Sequence, residues 1–208
     1  MKVYIGIPMY GGAGAEFIRS LMITRLILDK LGYTVEVDMH TGCSVLPKAR
    51  NEIVKRFMDS GFDVLFFIDS DMAWDVLDFV KLIKSENDFS ACAYRSKSED
   101  VTYHCVTNDT LGDWIKADAV GTGFMCLKRN VIERMINRYP ETLYENEGER
   151  FHALFDFQLH GGRYWGEDYT FCRRWRDVGG EINVLTDATI KHIGEKAYTG
   201  NYAEHKKG

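Results

Sequence analysis

Short apolar runs and longer amphipathic stretches alternate along the first half of the chain. A short apolar run predicts a buried strand, whereas apolar residues recurring every three or four positions predict a helix. In the first such helix, Phe17, Leu21, Leu28 and Leu31 fall on one face. The predicted strands are Val3–Ile7, Thr34–Val37, Val64–Ile68 and Ser90–Tyr94. The predicted helices are Ala13–Leu31, Pro47–Met58 and a segment from its cap at Asp75 to Lys84.

The second half of the chain has a less regular pattern. Pro140–Gly162 is polar and weakly periodic, which predicts a mobile loop. Helices are predicted over Asn130–Tyr139 and Glu167–Val178, and Gly179-Gly180 ends the second one. Strands are predicted over Val101–Val106, Phe124–Leu127, Ile182–Leu185 and Thr189–Ile193, with the last two closing the fold.

This alternation predicts an α/β fold, in which a mostly parallel central sheet is covered by helices on both faces. The chain has 208 residues and shows no repeat or linker, so we expect one domain over residues 1–208. Hydrophobic residues make up 45% of the sequence, enough for a packed core. The net charge of −5 argues against binding to nucleic acid through a broad basic surface.

The five cysteines are odd in number and have no zinc-knuckle or redox spacing. We therefore expect reduced thiols, mostly in the core, and a cytoplasmic protein. No apolar stretch reaches the ~20 residues of a membrane span. The N-terminus predicts a strand rather than a signal peptide, because its apolar run is short and meets glycine and proline at once.

An acidic turn, Asp69–Asp71, directly follows the apolar strand Val64–Ile68. Ligands of open parallel sheets bind at the carboxyl ends of strands, and neighbouring carboxylates there need a cation. Oxygen ligands suit Mg²⁺ or Mn²⁺, which in turn bind a diphosphate. The alternative is that one aspartate caps the next helix while the other is solvated.

This turn resembles the DxD motif of the GT-A glycosyltransferases, especially the family-two-like branch. The resemblance implies a Rossmann-like sheet flanked by helices, with a small antiparallel extension in the C-terminal half. It also implies that Asp71 is the principal metal ligand, and that Asp69 and Ser70 contact the donor nucleotide. Residues 1–100 would then form the nucleotide-binding half, and residues 101–208 the acceptor and catalytic half.

Two further segments resemble donor-binding motifs of the same family. Pro8 and Tyr10 end the first strand, where the family's nucleotide pocket begins and where Tyr10 would stack on the base. A simple strand–helix turn explains the same residues. Arg50 and Asn51 resemble the family's "ARN" helix start and would hold the nucleotide. The alternative for this pair is a surface arginine and a capping asparagine.

The C-terminal half carries three more resemblances. Gly123 lies in a small-residue segment like the one beside the donor sugar, although a tight turn has the same composition. Glu167 and Asp168 resemble the "ED" motif of inverting members, in which the aspartate takes the acceptor's proton; a charged first helical turn is the alternative. His192 matches a late histidine that serves as a second metal ligand, or is structural. The tail Glu195–Tyr202 would fold over the donor.

The resemblance therefore implies a metal-dependent transfer of a sugar, expected to be a hexose, from a nucleotide-sugar to an acceptor hydroxyl with inversion. The expected cofactor is Mn²⁺ or Mg²⁺, and the expected donor is a UDP-sugar. The acceptor stays open among glycans, small molecules and hydroxylated bases of modified phage DNA, and so does the oligomeric state. Basic residues of the last predicted helix could touch a polyanion locally, although a solvated helix face explains them better. These are Arg173, Arg174 and Arg176.

Three rival functions remain. A sugar nucleotidyltransferase shares the α/β layout, but its first loop normally has a basic residue, and here none precedes Arg19 after the first strand. A non-catalytic module could bind a nucleotide-sugar or glycan without turnover. A DNA-binding protein is disfavoured by the charge balance.

Overall fold

The computed structural model describes residues 1–194 and 196–207. The helices are α1 (Ala15–Lys30), α2 (Leu46–Ser60), α3 (Val76–Lys84), α4 (Arg129–Arg138), α5 (Glu167–Asp177) and α6 (Tyr202–Lys207). The strands are β1 (Lys2–Met9), β2 (Thr34–Thr41), β3 (Val64–Ile68), β4 (Met72–Ala73), β5 (Phe89–Cys92), β6 (Cys105–Val106), β7 (Trp114–Ala117), β8 (Ala119–Val120), β9 (Phe124–Lys128), β10 (Leu143–Asn146), β11 (Glu149–His152), β12 (Gln158–His160), β13 (Arg163–Trp165), β14 (Ile182–Leu185), β15 (Thr189–Ile193) and β16 (Ala197–Asn201).

A seven-stranded mixed sheet, in the order β2-β1-β3-β9-β5-β14-β7, forms the centre of the molecule. Strands β1, β2, β3, β5 and β14 run in one direction, whereas β9 and β7 run antiparallel to their neighbours. The predicted α/β fold with a mostly parallel sheet is thus confirmed. Smaller antiparallel sheets lie in the C-terminal half, as expected, and one of them, β16-β15-β4, also includes β4 from the first half.

Both faces of the sheet are covered by helices. In β3, Leu65 and Phe67 pack into one apolar layer, while Val64, Phe66 and Ile68 pack into the other. Helices α2, α4 and α5 contribute to the first layer, and α1 and α3 to the second. A strand buried on both faces has to be apolar throughout, which explains the uninterrupted run that made β3 predictable.

Local chemistry sets several helix ends. The Asp75 side chain accepts a hydrogen bond from Leu77 N at 2.8 Å and caps α3, as predicted. Gly61 ends α2 with a φ of 68°, a left-handed conformation that glycine adopts without steric cost. The predicted face of α1 is confirmed for Phe17, Leu21 and Leu28, but Leu31 is exposed because α1 ends at Lys30.

The predicted loop over Pro140–Gly162 is wrong. It contains a 3-10 turn, Pro140–Thr142, then the hairpin β10–β11 and the first strand of the hairpin β12–β13. Each hairpin turns on two residues with positive φ, Glu147-Gly148 and Gly161-Gly162. Such turns match the twist of paired strands, so Gly161-Gly162 was a readable hairpin signal.

Two other predictions need correction. Of the strand expected over Val101–Val106, only Cys105–Val106 forms a strand, which pairs with β8, while Tyr103 forms an isolated antiparallel bridge with Arg95. Thr189–Ile193 is not the last strand, because β16 pairs with it and α6 follows. Glu195, the first residue of the expected donor-covering tail, lies outside the described residues.

All five cysteines are free, as expected. Cys92, Cys126 and Cys172 are buried, and Cys43 and Cys105 are partly exposed. Within the described residues, we find no helix with the length and apolar character needed to span a membrane.

Candidate functional site

The carboxyl ends of β1 and β3, together with the loop after β2, enclose a pocket of about 280 Å³. This edge is where open α/β sheets bind ligands. The pocket is lined by Pro8, Tyr10, Asp69, Ser70 and Asp71, all of which the sequence assigned to donor or metal. Tyr10 is 76% exposed, which leaves its ring free to stack on a planar base. A larger cavity of about 590 Å³, lined in part by α1 residues, contains none of the predicted site residues.

Arg50 joins two acidic segments from a buried position in α2. Its Nη2 donates to Asp69 Oδ1 at 2.9 Å, and its Nη1 donates to Glu167 Oε1. Burial alone would lower the pKa of the guanidinium, but the charges of Asp69 and Glu167 outweigh it and raise the pKa. Arg50 therefore fixes the acidic turn relative to the start of α5. The nucleotide contact of Arg50 and the catalytic role of Glu167, both expected from the sequence, stay predictions.

Asn51 is also buried and is not among the residues that line the pocket. Its Nδ2 donates to the Phe155 carbonyl oxygen at 2.8 Å, and its Oδ1 accepts from Phe155 N at 2.9 Å. Both polar atoms of the amide thus hold the segment that precedes β12. The nucleotide contact expected of Asn51 from the sequence stays a prediction.

Asp71 is the last residue of the acidic turn and lies next to the C-terminal antiparallel sheet. Its Oδ2 accepts from Lys97 Nζ at 2.5 Å, and His192 Nε2 lies 3.5 Å from the same oxygen. Burial opposes ionisation of Asp71, but the contacts with His192 and Lys97 outweigh it and lower the pKa to about 2. Its other oxygen, Oδ1, is shielded from solvent and has no hydrogen-bond partner in the part of the chain that the structure describes.

His192 is brought to Asp71 by strand pairing. In the β15–β4 ladder it lies opposite Met72, and Ile193 N donates to the Asp71 carbonyl oxygen at 2.7 Å. The His192 Nδ1 lies 2.9 Å from the Arg95 carbonyl oxygen, which can only accept, so Nδ1 carries the ring proton. In the neutral ring, Nε2 then directs its lone pair towards Asp71.

This arrangement fits a divalent cation. Metal-bound histidines usually donate their second ring nitrogen to a carbonyl or carboxylate, as His192 does. Asp71 Oδ2 contacts both the Lys97 ammonium and His192 Nε2, and within the described residues Oδ1 has no partner, so a divalent ion bound here would take over the charge that Lys97 supplies. Oxygen and imidazole ligands together are compatible with Mn²⁺. Asp71 and His192 are therefore the residues that could hold a metal.

Gly123 supports the acidic turn from behind. Its carbonyl oxygen accepts from Asp69 N at 3.1 Å, and its N–H donates to the Tyr94 hydroxyl at 3.2 Å. A Cβ at Gly123 or at Gly121 would overlap the Tyr94 side chain. Close packing against Tyr94, and at Gly123 also against Met72, therefore requires glycine here, and the approach of Gly123 to a donor sugar stays a prediction.

Asp168 stands in the first turn of α5, beside the Arg50 ion pairs. Its Oδ1 accepts a hydrogen bond from Tyr169 N at 2.7 Å. Burial, and then the neighbouring charge of Glu167, raise the pKa of Asp168 to about 6. A carboxyl group with such a pKa can accept a proton near neutral pH, as a general base must.

Three residues next to the acidic turn had no sequence signal. Tyr94 and Lys97 follow β5, and His104 precedes β6. The Tyr94 ring lies 5.0 Å from His104 and 5.2 Å from His192, measured between ring centroids. Burial, and then the charge of His192, lower the pKa of His104. The segment between β5 and β6 has no regular periodicity, so only the fold shows that it borders the site.

The three arginines of α5 do not form a free cationic patch. Arg174 is buried and donates to the carbonyl oxygens of Ala153 and Leu154, at 2.5 Å and 2.8 Å. Arg173 and Arg176 each form an ion pair with an aspartate, at 3.2 Å and 2.6 Å. The solvated helix face expected for these arginines is therefore wrong for Arg174, which is buried, whereas Arg176 is exposed.

The sheet order and the site at its edge define the chain as a protein of GT-A glycosyltransferase fold. The crystal structure of A197 from STIV matches with a TM-score of 0.61 and 18% identity, over 96% of this chain and 90% of that chain. A mutant of the Drosophila β-1,4-galactosyltransferase 7, in complex with manganese, UDP-Gal and xylobiose, matches with a TM-score of 0.54 and 14% identity. That match covers 93% of this chain and 71% of the galactosyltransferase chain. No protein-family model and no curated protein sequence matches the chain.

Proposed function

We propose that the protein is a metal-dependent glycosyltransferase that moves a sugar from a nucleotide-sugar to an acceptor hydroxyl, with inversion. One observation carries the proposal: Asp71 and His192 face each other at 3.5 Å at the edge of the pocket formed by β1 and β3. The GT-A fold and the raised pKa of Asp168 support it.

The donor would occupy the pocket that the acidic turn lines together with the end of β1. Tyr10 would stack on the base, Pro8 and Ser70 would line the nucleotide, and Asp69, held by Arg50, would contact it. When bound at Asp71 and His192, a divalent ion would neutralise the charge of the diphosphate leaving group. The fold match with an enzyme captured with manganese and UDP-Gal supports Mn²⁺ and UDP-sugars as the first to test.

Asp168 would act on the acceptor. In its ionised form it can take the proton of an attacking hydroxyl, and burial keeps its proton affinity high enough for that task. Glu167 and Arg50 would hold the start of α5 against the acidic turn, so that Asp168 keeps its place relative to the donor.

The test is the release of nucleoside diphosphate from a panel of nucleotide-sugars, with Mn²⁺ and with a chelator. We expect slow donor hydrolysis that depends on the metal, and faster release when a competent acceptor is added. Acceptor mixtures should include glycans, small-molecule alcohols and DNA with hydroxylated bases. A glycan array alone would leave the other two classes unexamined.

Asp71→Asn should abolish the metal-dependent release, because a neutral amide binds a divalent ion more weakly than the negatively charged carboxylate does. Asp29→Asn is a matched control, since Asp29 is exposed on α1 and outside the pocket lining. Normal release by folded Asp71→Asn would contradict the metal assignment. Products formed from nucleoside triphosphate and sugar 1-phosphate would point to a nucleotidyltransferase instead, and donor binding without any turnover would point to a binding module.

A further inference from the structure

A second group of metal-ligating side chains lies on the other side of α2 from Arg50. His40 is near the end of β2, Cys43 follows in the connecting loop, and Glu52 is on α2. The loop between β2 and α2 is short, so it folds the helix back beside the strand. One imidazole nitrogen, the thiol sulfur and one carboxylate oxygen consequently lie within 4.8 Å of one another. We call these residues the His40–Cys43–Glu52 cluster.

His40 and Glu52 are in direct contact. The His40 Nε2 and Glu52 Oε2 atoms are 2.6 Å apart, an ion-pair distance, although within the described residues the shielded Nε2 meets no partner with hydrogen-bond geometry. Two ligands of a tetrahedral zinc ion lie about 3.3 Å apart, so a small outward movement of these side chains would let both bind one ion. Both side chains are largely buried, so water does not readily replace such an ion. An ion pair alone, such as the 3.6 Å contact of Lys48 with Glu52, would account for Glu52 but not for the thiol beside it.

We propose that the His40–Cys43–Glu52 cluster binds Zn²⁺. Imidazole, thiolate and carboxylate are the three ligand types that zinc accepts, whereas Mg²⁺ and Mn²⁺ prefer oxygen. Three protein ligands leave a fourth tetrahedral position for water or another group. The site is separate from Asp71 and His192 and does not depend on the proposed glycosyl transfer.

A zinc ion in the His40–Cys43–Glu52 cluster would also affect the neighbouring pocket. Cys43 and Ser44 belong to the loop that lines the pocket opposite the acidic turn. Cys43 Sγ donates to the Val45 carbonyl oxygen at 3.4 Å, a contact within the loop itself. Zinc bound to the cluster would tie this loop to β2 and α2 and so fix one wall of the pocket.

Cobalt substitution tests the proposal directly. Reduced protein without a histidine tag is titrated with Co²⁺, and the absorption spectrum is recorded. We expect one equivalent to give the intense near-ultraviolet band of thiolate-to-cobalt charge transfer, with visible bands of tetrahedral strength, and Zn²⁺ to bleach both. Cys43→Ser should lose the thiolate band, and Cys105→Ser, the matched control at the other partly exposed cysteine, should keep it.

Further variants separate this site from the proposed catalytic metal. His40→Gln should weaken zinc binding by about tenfold or more, the loss typical of even an outer-shell partner. Asp71→Asn should keep the thiolate band, whether or not the protein transfers sugar. Absence of the band in the wild-type protein, or its persistence in Cys43→Ser with a native circular dichroism spectrum, would overturn the proposal.

Discussion

Two aspartates of the site have pKa values shifted in opposite directions. Burial and the charge of Glu167 raise the pKa of Asp168 to about 6, so this group can exchange a proton near neutral pH. Burial also acts on Asp71, but His192 and Lys97 outweigh it and lower the pKa to about 2. Environments that separate the pKa values of two carboxyl groups in this way suit them to different tasks: one stays negatively charged, and the other can exchange a proton.

If Asp168 is the base, transfer needs its ionised form. The value of kcat/KM should therefore rise as the pH increases through about 6 and reach a plateau above it. A pH–rate profile at saturating Mn²⁺, from about pH 5 to about pH 8, measures this. Asp168→Asn should bind donor but lose transfer at every pH. A flat wild-type profile over the same range would contradict the assignment.

The raised pKa of Asp168 also predicts a cost in stability. Because the folded-state pKa of about 6 exceeds the ordinary value of 3.8, the carboxyl favours the fold when protonated. That contribution is fully present below pH 3.8 and is lost as the pH rises through about 6. At neutral pH, Asp168→Asn should therefore unfold at a temperature a few degrees above the wild type, whereas Asp29→Asn should not. A lower Tm for Asp168→Asn would show that the charged form is stabilised in the fold.

At the scale of elements, Arg50 ties α2 to the end of β3 and to the start of α5. The motif that resembles a nucleotide contact is in this structure the centre of a buried ion-pair network. Its three members, Arg50, Asp69 and Glu167, lie far apart in the sequence, so spacing alone could not reveal the contact. The resemblance pointed to these residues, but only the packing of α2 against β3 and α5 shows which atoms they engage.

Removing Arg50 would leave two carboxylates uncompensated. We expect Arg50→Met to lower the free energy of unfolding by about 3 kcal/mol, at the lower end for breaking a buried pair because Asp69 is partly exposed. Urea denaturation measures the change. Adding Glu167→Gln should recover part of the loss, since one of the two stranded charges is removed. Equal stability of Arg50→Met and the wild type would mean that the ion pairs contribute nothing.

At the scale of the whole molecule, the sequence predicted the long elements and missed the short ones. Strand β3 has the predicted bounds because its five residues form a continuous apolar run between turn residues, and strand β14, which Gly179-Gly180 precedes, also has the predicted bounds. The hairpins β10–β11 and β12–β13 were not predicted, because their strands of three or four residues show little periodicity. The order of the strands was likewise out of reach: β9 lies antiparallel between β3 and β5, a crossover that no local pattern records. For the same reason Lys97 and His104 were not expected at the site.

That crossover predicts that the molecule folds as one unit. A fragment of residues 1–100 would lack β9, which separates β3 from β5 in the sheet, and most of the apolar layer under α4 and α5. We expect the fragment to show no cooperative thermal transition and little near-ultraviolet circular dichroism, in contrast to the full chain. A cooperative transition of the fragment would instead establish two independent halves.

The ammonium group of Lys97, 2.5 Å from Asp71, occupies the coordination side of that carboxylate. A divalent ion arriving alone has to displace this internal competitor, whereas an ion arriving with a diphosphate brings new anionic partners for the lysine. Loading should consequently be ordered, with Mn²⁺ held weakly by the donor-free protein and tightly once the donor is present. Lys97→Met should erase that order: calorimetric titration without donor should then show a gain in Mn²⁺ affinity.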